Sequence, residues 1–307
     1  MGAIETVSAT PEGDLLKDSI SRIQQNVDSV FDAFLTSPDD SRSRLVDAMR
    51  YAAIGGGKRL RPLLLVSTAE MYGVNRDSAL RAACAVESIH IYSLIHDDLP
   101  CMDDDDMRHG KPTLHRAFDE ATAVLAGDAF HALAFEILAD DETGGDPFAR
   151  SELIATLARA SGMHGMAGGQ MMDMAAGEEE HDLHSITRLQ QLKTGALLAA
   201  SVEMGAIMGH VPPEGRHHLR AYARDIGLAF QIADDLLDHE GDEAKTGKAV
   251  RKDQGQGKAT FVSLMGPDKA REQANALVEQ AIGHLASHGD DAQILRALAR
   301  YVVERDR

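Results

Sequence analysis

The apolar residues of this chain recur mainly every three or four positions, which is the spacing of one face of an amphipathic helix. The first run covers residues 15–35, and a shorter run covers residues 45–49. Ser37-Pro38 combines a capping residue with a proline suited to a first helical turn, so a second helix is predicted to begin there. The triple glycine at 55–57 interrupts the pattern and predicts a turn.

The same spacing predicts helices over six further segments, at about 61–72, 77–99, 185–209, 216–238, 268–287 and 291–304. Asp146-Pro147 marks another helix start. The Gly-, Lys- and Asp-rich residues 239–260 predict a loop. Because no alternating strand pattern of useful length is found, the prediction is one all-α domain, 1–307, a bundle of about ten or more helices. Roughly the first 13 residues are expected to be a flexible N-terminus.

Charge and cysteine content exclude several classes of function. The 307 residues carry a net charge of -18, which argues against partners such as nucleic acid and anionic membranes. The two cysteines, Cys84 and Cys101, lack metal-site spacing, so a reducing, cytoplasmic compartment is expected. Residues 1–13 contain no secretory signal. No apolar stretch is expected to reach the ~20 residues of a stable membrane span.

Six aspartates fall within ten positions, at Asp97, Asp98 and 103–106, directly after an apolar helical stretch. Carboxylates packed so densely repel one another, and desolvation by apolar neighbours raises that cost, so a cation is expected among them. In an uninterrupted helix Asp97 and Asp103 would point roughly 120° apart. Pro100 is expected to end or kink the helix and so return Asp103 towards Asp97. The last three aspartates of the run are expected to face solvent or to play supporting roles.

A second acidic motif, D-D-x-x-D, consists of Asp234, Asp235 and Asp238. Asp234 and Asp238 are four residues apart and share one helix face. Either motif alone is more typical of a solvated acidic helix end than of a metal site. Two motifs, each within an apolar helix, favour Mg²⁺, which takes one or two carboxylates and completes its shell with water and phosphate oxygens. Neither motif has the Gly at position six and Glu at twelve that an EF-hand requires.

Lys58 and Arg61 follow the triple glycine and are three residues apart, so they can share one face and bind a second phosphate group. A P-loop is excluded, because it requires Gly and Ser or Thr where this chain has Ala52 and Arg59. Three further lysines stand near Gly or Thr, each alone typical of an ordinary surface lysine: Lys193, Lys248 and Lys258.

These motifs occur together in a known order: G-G-K-R-L-R-P, H-x-Y-S-L-I-H-D-D-L-P-C-M-D-D-D-D, G-G-Q-x-x-D, L-K-T-G, F-Q-I-A-D-D-L-L-D, T-G-K…G-K-A-T and A-R-Y-V-V-E-R. They resemble the trans-isoprenyl diphosphate synthases, closest to the bacterial-type farnesyl diphosphate synthases, from about residue 14 to the end. The resemblance implies helices around a deep central cavity and a homodimer. It implies that an allylic diphosphate loses pyrophosphate, is attacked by isopentenyl diphosphate and then loses a proton, with the departed diphosphate as the usual base.

The resemblance also implies residue roles. The metal ligands would be Asp97, Asp98, Asp103, Asp234, Asp235 and Asp238, holding Mg²⁺ as about three ions with diphosphate bound. The allylic diphosphate would contact Arg108, Lys193 and Lys248, with Thr194, Gln231 and Lys258 close by. Isopentenyl diphosphate would contact Lys58, Arg61 and His90. The catalytic candidates within these sets are Asp97, Asp98, Asp103, Arg108, Lys193, Asp234 and Lys248.

One residue departs from the family pattern. The family normally has Arg-Arg-Gly after the first motif, and this chain has Arg108-His109-Gly110. The second arginine contacts isopentenyl diphosphate in relatives, whereas His109 is shorter and mostly neutral at pH 7. We therefore expect weaker binding of isopentenyl diphosphate through His109, or compensation by a neighbour.

Product length should depend on what lies below the first motif. Tyr92 precedes Asp97 by five residues, about 7.5 Å along a helix, and Ser93 precedes it by four. In relatives a large side chain at this level stops growth near C15, so the predicted product is (E,E)-farnesyl diphosphate. The alternative is that Tyr92 is a packed core tyrosine without this role.

Four other functions are alternatives to farnesyl diphosphate synthesis. Geranyl or geranylgeranyl synthases share the mechanism and differ in product length. A terpene cyclase normally lacks the second D-D-x-x-D and the Lys58–Arg61 site. An HD-type phosphohydrolase, suggested by His96-Asp97, leaves the second motif unexplained. A regulatory subunit of a synthase tends to lose its aspartate motifs, and both are complete here.

Overall fold

The computed structural model of the protein describes residues 11–175, 182–240 and 260–304. Its α-helices are α1 (Pro11–Phe34), α2 (Ser43–Ala53), α3 (Leu60–Met71), α4 (Arg76–Asp97), α5 (Leu114–Ala117), α6 (Glu120–Ala139), α7 (Pro147–Ser161), α8 (Met166–Ala175), α9 (Leu183–Gln190), α10 (Ala196–Met208), α11 (His217–Glu240), α12 (Phe261–Met265), α13 (Pro267–His284) and α14 (Gln293–Glu304). A π-helical turn (Gln191–Gly195) joins α9 to α10, and a 3₁₀ segment (Ala286–Ala292) precedes α14. The predicted all-α class is confirmed.

Helices α4 and α6 lie side by side. Helix α4 is buried along much of its length, whereas α6 is apolar around most of its circumference but buries only part of it. Their close approach depends on Gly127, because a Cβ at that position would come within 2.1 Å of Nε2 of His96. Phe31 of α1 packs edge-on against Phe130 of α6, with ring centroids 6.2 Å apart.

Helices α10 and α11 complete the enclosure of the core. Helix α10 packs on α3 and α7, while α11 packs on α13 and α10. Gly205 permits the α10–α3 contact, because an added Cβ would lie 2.6 Å from the carbonyl oxygen of Leu65. The first acidic motif lies at the end of α4 and the second lies near the end of α11, so both motifs are carried by helices of one bundle.

The start of α2 was predicted wrongly at Ser37-Pro38, because the helix begins at Ser43. A local turn takes precedence: the Asp40 side chain accepts a hydrogen bond from the backbone N–H of Arg42 at 2.9 Å and also binds its guanidinium. Such Asp-centred turns compete with helix for the same backbone groups. In contrast, Asp146 caps α7 as predicted, accepting from Phe148 N at 2.9 Å.

A small hairpin was also missed. Within the described residues, strand structure is confined to β1 (Met107–Arg108) and β2 (Lys111–Pro112), which pair antiparallel. Two-residue strands are too short for an alternating pattern to appear in the sequence.

The expectation that no apolar stretch approaches membrane-spanning length was wrong for α6. This helix of 20 residues has a mean hydropathy of 1.4 over its most apolar window. It is the one helix in the described residues that meets such a test, and 39% of that window is buried inside the protein. A core helix of a water-soluble bundle has the same composition, so this observation is weak support for a membrane role.

Candidate active site

The first acidic motif is shaped by the end of α4. The helix stops at Asp97, Asp98 follows as its C-cap, and Pro100 lies in the next turn. The backbone then doubles back, and Asp103 N donates a hydrogen bond of 2.8 Å to the carbonyl oxygen of Asp97. The predicted return of Asp103 towards Asp97 is therefore confirmed. Asp97 is half-buried and Asp103 is exposed.

The hairpin supplies a cation to this motif. The Arg108 guanidinium donates to both carboxylate oxygens of Asp98, at 2.7 and 3.0 Å from Nε, and reaches Asp105 at 3.5 Å. Asp98 itself is buried. Burial lowers the pKa of Arg108, but the hydrogen bonds and charges of these aspartates outweigh that effect and leave the pKa raised. Asp98 thus holds Arg108 beside the motif in this structure.

The pKa of Asp97 is shifted by its surroundings. Burial raises its pKa to about 6, the charges of Asp103 and Asp98 act in the same direction, and Lys193 and Arg108 oppose them. A carboxylate that is desolvated and crowded by others is stabilised by an added cation. Lys193 is close enough to act on Asp97, although it lies about 100 residues further along the chain.

Lys193 and Thr194 lie in the π-helical turn between α9 and α10. Single π-helical turns inside a helix are frequent at functional sites. Lys193 Nζ donates to Asp173 of α8 at 2.8 Å, and both side chains are partly shielded from solvent. Gly169 of α8 allows the contact, because a Cβ there would lie 2.2 Å from the backbone nitrogen of Lys193. The G-G-Q-x-x-D segment therefore positions Lys193, a role that was not predicted for it.

The second acidic motif reaches the same region from α11. A Cβ on Gly227 would lie 3.5 Å from Cα of Gly195, so α11 passes close to the π-helical turn. Asp234 comes seven residues after Gly227 and therefore projects from nearly the same helix face. Ile232 on another face is fully buried. Asp234 is half-buried, and so is Gln231 one turn before it.

The three aspartates of this motif differ in their contacts. Asp235 accepts a hydrogen bond of 2.7 Å from Phe261 N, so it ties α11 to the start of α12. Asp234 and Asp238 are half-buried, as is Asp235. The charge of Asp234 acts on Arg61, which brings the second motif within electrostatic reach of the triple-glycine loop.

Arg61 and His90 form a second, carboxylate-poor part of the site. Burial lowers the pKa of Arg61, although the charges of Glu87 and Asp234 oppose this. The buried Nε of Arg61 has no hydrogen-bond partner among the described residues. Burial and the charge of Arg61 also lower the pKa of His90 well below its ordinary value, so His90 is neutral at pH 7. An anion would satisfy this buried positive charge.

His109 extends this second part. His109 and Gly110 have φ angles of 52° and 75°, the positive values that both central residues of a type I′ hairpin turn require. Histidine is among the residues that tolerate this conformation. A Cβ on Gly57 would lie 4.0 Å from Nε2 of His109, and the charge of His109 also acts on His90. Lys58, on the same loop, lies over the ring of Tyr301, with Nζ 5.9 Å from the centroid.

Arg59 is a structural residue that the sequence reasoning missed. Its backbone is left-handed, with a φ of 53°, and its side chain is 2% exposed. It donates to Glu87 at 2.8 Å and to Asp28 at 2.9 Å, and its contact with the Ala53 carbonyl closes the loop. Burial lowers the pKa of Arg59, but Glu87 and Asp28 outweigh that effect and leave it raised. This buried ion pair fixes the loop that carries Lys58 and Arg61.

The remaining predicted residues divide into two groups. Tyr92 and Ser93 lie on α4 below Asp97, and Ser93 Oγ donates to the carbonyl oxygen of His90 at 2.8 Å. Lys248 and Lys258 lie outside the described residues. A separate cavity of about 260 Å³ between α1 and α3 is lined by none of the motif residues.

The donor set fits Mg²⁺ that arrives with a phosphate ligand. Among the described residues, no three His, Cys, Asp or Glu side chains converge to enclose a metal ion. Mg²⁺ does not require such a cage, because it commonly uses one or two carboxylates and takes its other ligands from water and substrate phosphates. Asp97, with its raised pKa and its crowding by Asp103 and Asp98, has the environment that such an ion relieves.

Comparison with known proteins identifies the family of this chain. The chain is 46% identical to the farnesyl diphosphate synthase of Escherichia coli over 270 residues, covering 86% of this chain and 90% of that protein. It is 42% identical to a chloroplastic geranylgeranyl pyrophosphate synthase of Catharanthus roseus, covering 86% and 74%. The crystal structure of an FPP/GFPP synthase from Zymomonas mobilis is 56% identical, with a TM-score of 0.87 and coverage of 94% and 98%. The polyprenyl synthetase family model matches residues 42–299, and the chain therefore belongs to the polyprenyl synthetase family.

Proposed function

We propose that this protein is a short-chain prenyltransferase that joins isopentenyl diphosphate to dimethylallyl or geranyl diphosphate and yields (E,E)-farnesyl diphosphate and pyrophosphate. Family membership supports the reaction class. The observation that carries the assignment is the pairing of two unlike anion sites. One combines crowded carboxylates with Lys193 and Arg108, and the other combines Arg61 with a neutral His90.

The carboxylate-rich part suits the allylic diphosphate. Asp97, Asp103 and Asp234 would hold Mg²⁺, with the other three aspartates of the motifs in support. Mg²⁺ bound there would neutralise the negative charge that develops on the leaving diphosphate. Lys193 is aimed by Asp173, and Arg108 by Asp98, so both cations are oriented before substrate arrives.

The second part suits isopentenyl diphosphate, which needs no metal of its own. Lys58 and Arg61 would bind its phosphates as charge-assisted donors. His90 is neutral and therefore offers one donor and one acceptor rather than a charge. His109 adds a further contact, weaker than the arginine of the usual family pattern.

The reaction breaks the allylic C–O bond, forms a new C–C bond and then breaks one C–H bond, with the departed diphosphate taking up the proton. The C–O bond of the allylic diphosphate breaks and pyrophosphate leaves with the electron pair. The double bond of isopentenyl diphosphate attacks the allylic carbon, and a proton is lost to restore a double bond. Thr194 and Gln231 would stabilise the allylic cation through their oxygens, and Lys248 and Lys258 are proposed contacts for the allylic diphosphate.

Product length is the finer part of the proposal. The relatives include farnesyl diphosphate synthases, a geranylgeranyl pyrophosphate synthase and an FPP/GFPP synthase, so family membership leaves C15 and longer products open. Tyr92 favours C15, because a large side chain lies on α4 below Asp97. Geranyl and geranylgeranyl products are the alternatives that product analysis would separate.

We also propose a cytoplasmic homodimer. Helix α6 presents apolar side chains to solvent, including Val124 at 41% and Leu125 at 57% exposure. A second copy covering this face would remove apolar area from water. A mass in solution of one chain, measured by light scattering, would contradict the dimer.

The deciding experiment is a product assay. The protein would be incubated with labelled isopentenyl diphosphate and dimethylallyl, geranyl or farnesyl diphosphate, with Mg²⁺ or with EDTA, and the dephosphorylated products would be separated by chromatography. We expect C15 from the first two starters, no extension of farnesyl diphosphate and no product with EDTA. Substantial C20 would overturn the farnesyl assignment, and a lack of any product would overturn the proposal as a whole.

A further inference from the structure

Three aromatic rings meet in the groove between α4 and α6. The Tyr92 ring lies edge-on to His96, with centroids 5.6 Å apart, and edge-on to His131, with centroids 5.3 Å apart. Tyr92 and His96 are one turn apart on α4, and His131 projects from α6. Tyr92 is thus held from two sides by rings on two different helices.

The His96 ring cannot move away from Tyr92. Its Nε2 lies 3.2 Å from the carbonyl oxygen of Val124. Gly127 of α6 faces the same ring so closely that a Cβ would lie 2.1 Å from Nε2. Helix α6 therefore fixes His96 through its own backbone, and His96 forms a rigid side of the Tyr92 site.

The His131 ring is the adjustable side. His131 is exposed in the single chain and lies seven residues after Val124, on the α6 face that a second copy would cover in the proposed homodimer. It packs edge-on against the half-buried Phe135 one turn further along α6, with centroids 5.3 Å apart. Burial, with a smaller effect of the Asp97 charge, raises the pKa of Tyr92, so the phenol stays neutral between these rings. If the His131 ring is removed, the Tyr92 ring gains space on the side that α6 now occupies.

We propose that His131 is a positioning residue for product length, which acts by holding the Tyr92 ring against His96. The inference rests on the proposed function, because it concerns where a growing prenyl chain stops. A chain longer than C15 must push the Tyr92 ring aside. The edge-to-face contact with His131 opposes that movement, and His131 itself need not touch the chain.

The test compares product ratios from geranyl diphosphate and isopentenyl diphosphate. We expect His131→Ala to raise the C20:C15 ratio by about threefold to tenfold, the range that one lost edge-to-face ring contact allows. His131→Phe, which keeps a flat ring in place, should retain the ratio of the original protein. Glu136→Ala is the matched control, because this exposed residue of the same helix lies outside the ring cluster.

A second comparison asks whether His131 acts through Tyr92. Tyr92→Ala alone should shift product to C20 or longer, and adding His131→Ala to it should change the ratio no further. KM for both substrates should stay within twofold in the His131 variants, roughly the effect of a distant surface change. If alanine lowers the melting temperature, His131→Gln removes the ring while keeping a polar head.

The outcomes separate this inference from the proposed function. If the unchanged protein yields C15 and His131→Ala gives the same ratio, His131 has no such role and the prenyltransferase assignment stands. If His131→Phe raises the C20:C15 ratio as much as His131→Ala does, the ring contact does not set product length. The same conclusion follows if His131→Ala still raises this ratio in the Tyr92→Ala background. If the unchanged protein makes no prenyl product, the proposed function fails first.

Discussion

The two acidic motifs carry the same residues on differently built backbones. The first lies at a broken helix end, where the chain folds back and Asp103 N meets the Asp97 carbonyl at 2.8 Å. The second lies within the last turns of α11, a regular helix of 24 residues. The first has a structural cation, Arg108, bound to one of its aspartates, whereas Asp235 of the second accepts from the backbone N–H of Phe261.

The two motifs therefore differ in what positions their carboxylates. Burial raises the pKa of Asp97 to about 6, the carboxylates that the folded-back turn brings near it act in the same direction, and the charges of Lys193 and Arg108 oppose them. The second motif is placed by helix geometry and by the close passage of α11 at Gly195. The first motif therefore gathers electrostatic repulsion that a bound metal ion would relieve, whereas the second would contribute its carboxylates to the proposed site from a regular helix.

The largest effect should come from removing one ligand of each motif. We expect Asp97→Asn and Asp234→Asn each to lower kcat/KM by at least about 1000-fold, because both motifs would stabilise charge on the leaving group. The measurement is the initial rate of pyrophosphate release. Asp104→Asn is the control, since this exposed residue pairs only loosely with Arg116 at 3.8 Å. Retention of activity within tenfold in either variant would remove that motif from the metal site.

The supporting aspartates should differ in their effect on stability. Asp98→Ala leaves the partly buried Arg108 with a 3.5 Å contact to Asp105, and we expect it to lower the free energy of unfolding by about 3 kcal/mol. Asp235→Ala removes the hydrogen bond from the backbone N–H of Phe261, and loss of such a bond costs about 1 kcal/mol. Urea unfolding of the metal-free variants provides the measurement. Equal losses would contradict the assigned difference between the two motifs.

The raised pKa of Asp97 predicts a pH-dependent stability. A carboxyl with a pKa of about 6 in the folded state and an ordinary value of 3.8 unfolded stabilises the protein below pH ~4 and loses that contribution as the pH rises through 6. In EDTA at pH 7.5, the free energy of unfolding of the Asp97→Asn protein should therefore be about 3 kcal/mol higher than that of the original protein. At pH 5 the gain should fall to roughly half.

The free energy of unfolding of Asp234→Asn, measured under the same conditions, provides the comparison for the second motif. An Asp97→Asn protein that is less stable than the original at pH 7.5 would show that the pKa of Asp97 is not raised in the folded protein.

The smallest effect concerns the hairpin that serves the first motif. Arg108 faces Asp98, while the next residue, His109, faces the triple-glycine loop near Gly57. We expect His109→Arg to lower KM for isopentenyl diphosphate by about threefold, because a permanent charge replaces a mostly neutral ring. KM for the allylic substrate should not change. His109→Gln, which adds no charge, is the control, and an unchanged or higher KM in His109→Arg would mean that a neighbour already compensates.

Several elements could be predicted from the sequence because they depend on interactions between neighbouring residues. Asp146-Pro147 starts α7 because a capping side chain and a fixed φ act within one turn. Pro100 ends the first motif's helix for the same local reason, and the four-residue spacing of Asp234 and Asp238 gives them one helix face. Ser37-Pro38 shows the limit, because the Asp40–Arg42 turn a few residues later overrides that cap.

The features that could not be predicted depend on distant contacts. Arg59 and Arg61 follow the same glycines but have different surroundings. Arg59 donates to Glu87, 28 residues away, and to Asp28, whereas the buried Nε of Arg61 has no hydrogen-bond partner among the described residues. The π-helical turn at Lys193 likewise needs Gly169 of α8, and the roles of Asp173 and His131 appear only once two helices meet.

The sequence by itself determined the helical class and the two aspartate motifs, whose carboxylate oxygens are the ligand type that Mg²⁺ prefers, because helix periodicity and ligand chemistry are local properties. Tertiary structure alone decided which cation faces which carboxylate, that burial raises the pKa of Asp97, and that the Tyr92 ring contacts both His96 and His131. Burial and charge–charge distances set those outcomes, and both exist only after the helices have packed.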